Sequence, residues 1–90
     1  MNPNKTYHVD PDVIVTELQD GDAVLLHLGT RMYYSLNETG LKIWRFLENG
    51  QTTTDAAIAL TAEYEVDLEH AQRSVESTLA VLVTERLLSI

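Results

Sequence analysis

Hydrophobic spacing changes period once, near the middle of the chain. Met32, Tyr34 and Leu36 alternate with other residues as a half-buried strand does. Leu41, Trp44 and Leu47, with Ile43 beside them, then recur at helical spacing. Only Asn37 separates the two periods clearly, so a strand feeds directly into a helix. Upstream, residues 13–18 and 23–28 form two further apolar runs rich in strand-forming types. Gln-Asp-Gly-Asp joins them, and its central Asp-Gly is a strong hairpin signal. Gly29-Thr30 makes a second tight connection into residues 31–36. Three consecutive strands with short turns predict an antiparallel meander, with the nearly continuous apolar run 23–28 at its centre.

Downstream the pattern predicts three helices. Asn37 is a natural N-cap, and the first helix stops at Asn49-Gly50. Gly40 sits in its first turn, where a close approach of backbone would explain so poor a helix former. Thr52, Thr53 or Thr54 caps the second helix, with Asp55 favourable in its first turn. That helix carries Ala56, Ala57, Ile58, Leu60 and Ala62 and fades near Tyr64. Asp67 caps the third, which continues to about Glu85 with a core stripe of Leu68, Ala71, Val75, Leu79 and Leu82. In the short tail after it, Leu87 and Leu88 are expected to pack back on the core. Pro3 and Pro11 mark residues 1–12 as an N-terminal arm before a domain of residues 13–90. The outline is α+β: a three-stranded antiparallel sheet must cover one face, and three helices follow to cover it. The second and third helices resemble a helix-turn-helix pair, which makes the whole winged helix-turn-helix-like.

Composition narrows the function classes. Ninety residues with 44% hydrophobic content suit one small packed domain. No run of about 18 apolar residues exists, so no membrane span is expected. The first residues lack the apolar core of a signal peptide, and cysteine is absent, so a cytoplasmic protein is expected. Net charge is -8, and the six basic residues are scattered, which argues against a nucleic-acid backbone as partner. The alternating acids Glu63, Glu65, Asp67 and Glu69 are either a solvated surface or an attraction for a basic segment.

No constellation for catalysis emerges. His8, His27 and His70 lack metal-ligand spacing. Ser35, Ser74, Ser77 and Ser89 lack obvious bases, and no Gly-rich loop precedes a helix to cradle phosphate. No Asp-Ser-Leu is present to carry a phosphopantetheine arm. No catalytic, metal or cofactor site is therefore expected.

What remains is surface. The third strand ends the meander, and one of its edges has no partner apparent in the sequence. It carries little of the usual protection: Arg31, then Met32, Tyr33, Tyr34, Ser35 and Leu36. Either the third helix lies over this edge, or the strand is simply short, or the edge receives an extended peptide. Tyr34 is expected in the core and Tyr33 on the surface. The third helix leaves Ser74, Thr78 and Val81 along one flank of its core stripe, which could floor a shallow groove, and Gln72 and Val83 along the other. A winged-helix DNA-binding protein would need a basic recognition helix. Here Asp67, Glu69, Glu76 and Glu85 outnumber Arg73 and Arg86.

The order Tyr34-x-Leu36-Asn37-x-x-Gly40-x-x-Ile43-Trp44-x-x-Leu47-x-x-Gly50, followed by Ala57, Ile58 and Leu60, Tyr64-x-Val66, then Ala71, Val75, Leu79, Leu82 and Leu87-Leu88, resembles the PqqD-like family. Its members are recognition elements for ribosomally made precursor peptides. The resemblance covers most of the chain and implies a non-catalytic adaptor. The leader of a precursor peptide would add as a strand on the third strand, in the groove beside the third helix. On this chain that means Arg31, Met32, Tyr33, Tyr34 and Ser35, with Ser74, Thr78 and Val81 as groove residues. Many members have Asp where Ser74 stands. The implied partners are the leader peptide and a leader protease or other modifying enzyme. The Tyr-x-Leu-Asn and Ile-Trp version is closer to the discrete leader-binding proteins of lasso-peptide clusters. The alternative within the family is a pyrroloquinoline-quinone-type peptide chaperone for a radical-SAM enzyme.

Overall fold

A computed structural model describes residues 6–89. Its elements are β1 (His8–Val9), β2 (Val13–Glu17), β3 (Ala23–His27), β4 (Met32–Leu36), α1 (Glu38–Glu48), α2 (Thr53–Tyr64), α3 (Leu68–Thr84) and β5 (Leu88–Ser89), in that order. The expected meander is the sheet β2-β3-β4, antiparallel throughout. Leu25 faces Val15 on one side and Tyr34 on the other, and Leu26 faces Ile14 and Tyr33. Because faces alternate along a strand, Ala23, Leu25 and His27 turn to the helices and are buried. Ile14, Leu26 and Tyr33 form a row on the outer face, where Ile14 and Tyr33 are exposed.

Each helix starts where its capping residue dictates. The Asn37 side chain accepts from the Gly40 N–H at 2.8 Å. Thr52 and Asp55 exchange hydrogen bonds in a capping box, and Asp67 accepts from the His70 N–H at 2.7 Å. Each such cap stabilises its helix by ~1 kcal/mol. Gly40 is buried, and a Cβ there would meet Leu36 Cδ2 and Asn37 Oδ1 at 3.3 Å. The strand-to-helix junction is thus built tightly around that glycine, through side chains of the preceding turn.

Trp44, Ile43 and Leu47 of α1 meet Leu25 of the sheet and Val75, Leu79 and Leu82 of α3 in one fully buried core. Three residues of the expected stripes, Ile58, Ala62 and Leu68, lie outside it and are exposed. Ile58 is 54% exposed, because the buried face of α2 is Thr53, Ala56, Ala57 and Leu60, and Ile58 lies off that i, i+3, i+4, i+7 row. Leu68 is 46% exposed, and Val66, just before α3, packs against the core instead.

The termini also differ from the expectation of an arm. Residues 1–5 lie outside the described residues. From there on the segment is packed. Tyr7 is buried, β1 pairs antiparallel with β5, and the Asp10 N–H donates to the Leu87 carbonyl at 3.1 Å. Leu87 and Leu88 are buried, as the sequence suggested.

His27 organises the turn between β3 and β4. Its Nδ1 accepts from the N–H groups of Gly29 at 3.1 Å and Thr30 at 3.2 Å, while its Nε2 lies 3.4 Å from Asp10 Oδ2. A Cβ on Gly29 would come within 3.0 Å of the His27 ring. Ring and glycine therefore fix the turn that delivers the chain into β4.

Candidate functional site: the open edge of β4

Backbone parity decides which groups of β4 face outward. The Leu18 N–H donates to the Asp22 carbonyl at 2.8 Å, and the Leu28 N–H to the Asp12 carbonyl at 2.9 Å. Both pairs continue the β2–β3 register, so even-numbered residues of β3 point to β2. The odd ones, Ala23, Leu25 and His27, point to Leu36, Tyr34 and Met32 on β4. The Arg31 N–H donating to the His27 carbonyl at 2.7 Å agrees with this direction. The N–H and C=O groups of Tyr33 and Ser35 therefore face away from the sheet. Among the described residues no strand pairs with that edge.

Helix α3 runs beside the edge without covering it. Met32, Tyr33 and Ser35 remain exposed. Between strand and helix lies a hollow of about 300 Å³ bordered by Ser35, Leu36 and Gly40 on one side and Ser77, Thr78, Val81 and Leu82 on the other. Beyond the β4–α1 junction it is followed by a second hollow of about 400 Å³, lined in part by Asn37, Ile43, His70 and Ser74. At the other end of the strand a smaller hollow of about 200 Å³ is bordered by Thr30, Met32, Tyr34, Thr84, Glu85 and Arg86. The Tyr34 hydroxyl donates to Glu85 Oε2 at 2.8 Å, tying the strand to the end of α3. This hydrogen bond to the carboxylate, with burial and the negative charge adding to it, holds the phenol above its ordinary pKa of 10.0.

The residues singled out from the sequence divide as follows. Ser35, Thr78 and Val81 line the central hollow, and Met32 and Tyr34 the small one. Ser74 lines the far hollow, past Asn37. Tyr33 sends its side chain to the outer face, 70% exposed, and offers the groove only its backbone. Arg31 precedes the strand instead of belonging to it, with φ at 62°. Sequence reasoning passed over Ser77, which belongs to the row Ser74, Ser77, Thr78, Val81 by helical spacing. It also passed over Glu85 and Arg86 as site residues, having read them as the end of a helix and the start of a tail and counted them in the charge balance of the third helix. No group of His, Asp or Glu suited to a metal ion occurs among the described residues, and no helix among them is long and apolar enough to cross a membrane.

Fold and edge together define a winged-helix-like α+β domain with an unpaired strand beside a helix-walled groove. The chain belongs to the PqqD family, described as coenzyme PQQ synthesis protein D, whose model matches residues 22–88. TbiB1 in complex with the TbiA(beta) leader peptide is similar in structure, with a TM-score of 0.82 at 33% identity, covering 90% of this chain and 93% of that one. Lasso peptide synthetase B1 complexed with the leader peptide is similar too, with a TM-score of 0.82 at 29% identity, covering 96% and 99%. No curated protein matches the chain.

Proposed function

We propose that this protein is a non-catalytic adaptor of lasso-peptide biosynthesis. It captures the leader of a ribosomally made precursor peptide as an added strand on β4 and presents it to a leader protease or other modifying enzyme. The observation that carries the reading is the outward N–H and C=O groups of Tyr33 and Ser35, set beside a groove walled by α3. Main-chain hydrogen bonds along that edge supply affinity, and the hollows supply side-chain selectivity. The similarity to two leader-bound B1 proteins supports the peptide class. With no reacting group of its own in this reading, the protein acts by positioning, in the cytoplasm where ribosomal precursors are made.

The test is a titration of isotope-labelled protein with the TbiA(beta) leader peptide, and then with the leader encoded beside this protein's own gene. The Tyr33 and Ser35 amide signals should shift most and saturate. If both stay in place at saturating concentrations of the cognate leader, edge capture is wrong. The family match favours a second reading, a chaperone that brings a quinone-cofactor precursor to a radical-SAM enzyme. The edge would serve equally, and the neighbouring genes distinguish the two.

A further inference from the structure

Two helices of this protein end in the same backbone motif with different residues at its critical position. After α1, the Gly50 N–H donates to Leu47 C=O at 3.1 Å and the Gln51 N–H to Phe46 C=O at 3.0 Å. After α3, the Arg86 N–H donates to Val83 C=O at 3.1 Å and the Leu87 N–H to Leu82 C=O at 2.8 Å. Both are Schellman ends, which need a left-handed residue and favour glycine there. Gly50 has φ at 81°, and Arg86 occupies the same position with φ at 62°. Arg31, in the turn before β4, also has φ at 62°. Left-handed backbone is costly for a residue with a Cβ. Two of the three non-glycine residues at positive φ among those described are thus arginines, one in the turn that enters β4 and one in the turn that leaves α3.

Their charges are equally unusual. Lys42 pairs with Glu38 and Glu63, Arg45 with Glu17 and Glu48, and Arg73 with Glu69. Arg31 and Arg86 have no carboxylate partner among the described residues, although the chain carries a net charge of -8. Arg86 borders the small hollow at the Met32 end of β4, and Arg31 lies between Thr30 and Met32, which also border it. The one carboxylate lining that hollow, Glu85, already accepts from the Tyr34 hydroxyl. Asp12 approaches the turn at Gly29 without pairing with Arg31.

We propose that Arg31 and Arg86 form an anion-binding subsite at the Met32 end of the groove, and that the peptide laid along β4 places an Asp or Glu side chain there. This inference rests on the edge-capture reading and adds a charge requirement to it. Guanidinium groups hold carboxylates by paired, charge-assisted hydrogen bonds, so the acidic position would set both the register of the peptide and its selection.

The test uses a displayed library of random peptides about twenty residues long, selected on the full chain and on the R31Q/R86Q double variant. Among wild-type-selected peptides that shift the Tyr33 and Ser35 amides, one position should be enriched in Asp or Glu. Replacing that acid by its amide should weaken binding to the wild type about fivefold, as for an exposed ion pair, and change binding to the double variant less than about twofold. The variants Arg31→Gly and Arg86→Gly separate binding from folding. Glycine relieves the left-handed backbone, so each should melt at a higher temperature than wild type while binding the selected peptide more weakly. Edge-binding peptides without acidic enrichment, or unchanged affinity in the glycine variants, would overturn the subsite and leave edge capture standing. If no selected peptide moves the strand amides while the cognate leader does, the subsite is overturned and edge capture stands; if the cognate leader fails to move them as well, edge capture falls and the subsite with it.

Discussion

Strands β2 and β4 are the two edges of one sheet, yet their outward backbone groups are treated differently. On β2 the outward residues are the odd-numbered ones. The first of them, Val13, already donates its N–H to the Asp10 carbonyl at 3.1 Å, and the last, Glu17, carries an ion pair to Arg45 of α1 at 3.0 Å. An occupied donor and an anchored charge are ways to blunt an edge. On β4 the outward residues Tyr33 and Ser35 have neither. The main tie of that strand to the helices, Tyr34 to Glu85, comes from the side chain of an inward residue and leaves the edge backbone untouched. An edge strand need not be unstable to be open: β4 is anchored through one face and available along its rim.

The comparison breaks most readily by proline. Tyr33→Pro deletes an outward donor without removing a bond to β3, so the domain should stay folded and lose about ten- to a hundredfold in leader affinity, the cost of ~1–3 kcal/mol for an unpaired backbone acceptor. Glu17→Pro makes the matching change on β2 and should leave affinity unchanged. Calorimetric titration of both variants reads the difference, and equal losses would mean that the two edges are not functionally distinct. A second probe fills the groove. Ser77→Trp alters an exposed residue of α3 bordering the central hollow. Stability should change by no more than about 0.5 kcal/mol, while leader affinity falls at least about tenfold. Retained binding would place the peptide elsewhere.

The smallest expected effect concerns the anchor. The folded state raises the Tyr34 pKa above 10.0 by holding the neutral phenol against Glu85. The corresponding stability is present below pH 10.0 and is lost as pH rises through the folded-state value. Thermal melts should therefore show an alkaline loss in wild type that Tyr34→Phe lacks, with the variant slightly less stable at neutral pH. Identical alkaline profiles would show that this bond does not hold β4 in solution.

Much of this was legible in the sequence because it rests on local chemistry. The alternation Met32, Tyr34, Leu36 and the caps Asn37, Thr52 and Asp67 are each readable within a few residues, and together they give the order of the sheet and helices. The β1–β5 ribbon was not legible: two-residue strands have no period, and their pairing joins distant segments. Ile58 and Leu68 show the limit of helical stripes, where spacing gives a face but not its width or its ends. At the site, Ser74, Thr78 and Val81 came from the flank of α3, while Glu85 and Arg86 stayed hidden. Their position follows from the Schellman turn that folds the chain back after α3, and an arginine where glycine is favoured masks that turn.

The β1–β5 ribbon has a consequence for how the chain folds. It closes a loop on the order of 80 residues, at an entropic cost of about 4 kcal/mol, far more than the short turns between β2, β3 and β4 require. The meander and the helix hairpins can therefore assemble first, with the ribbon closing over a nearly complete core. Substitutions at His8, Val9 or Ser89 should then leave the refolding rate almost unchanged and act on the unfolding rate, which makes this small clasp a determinant of the domain's lifetime.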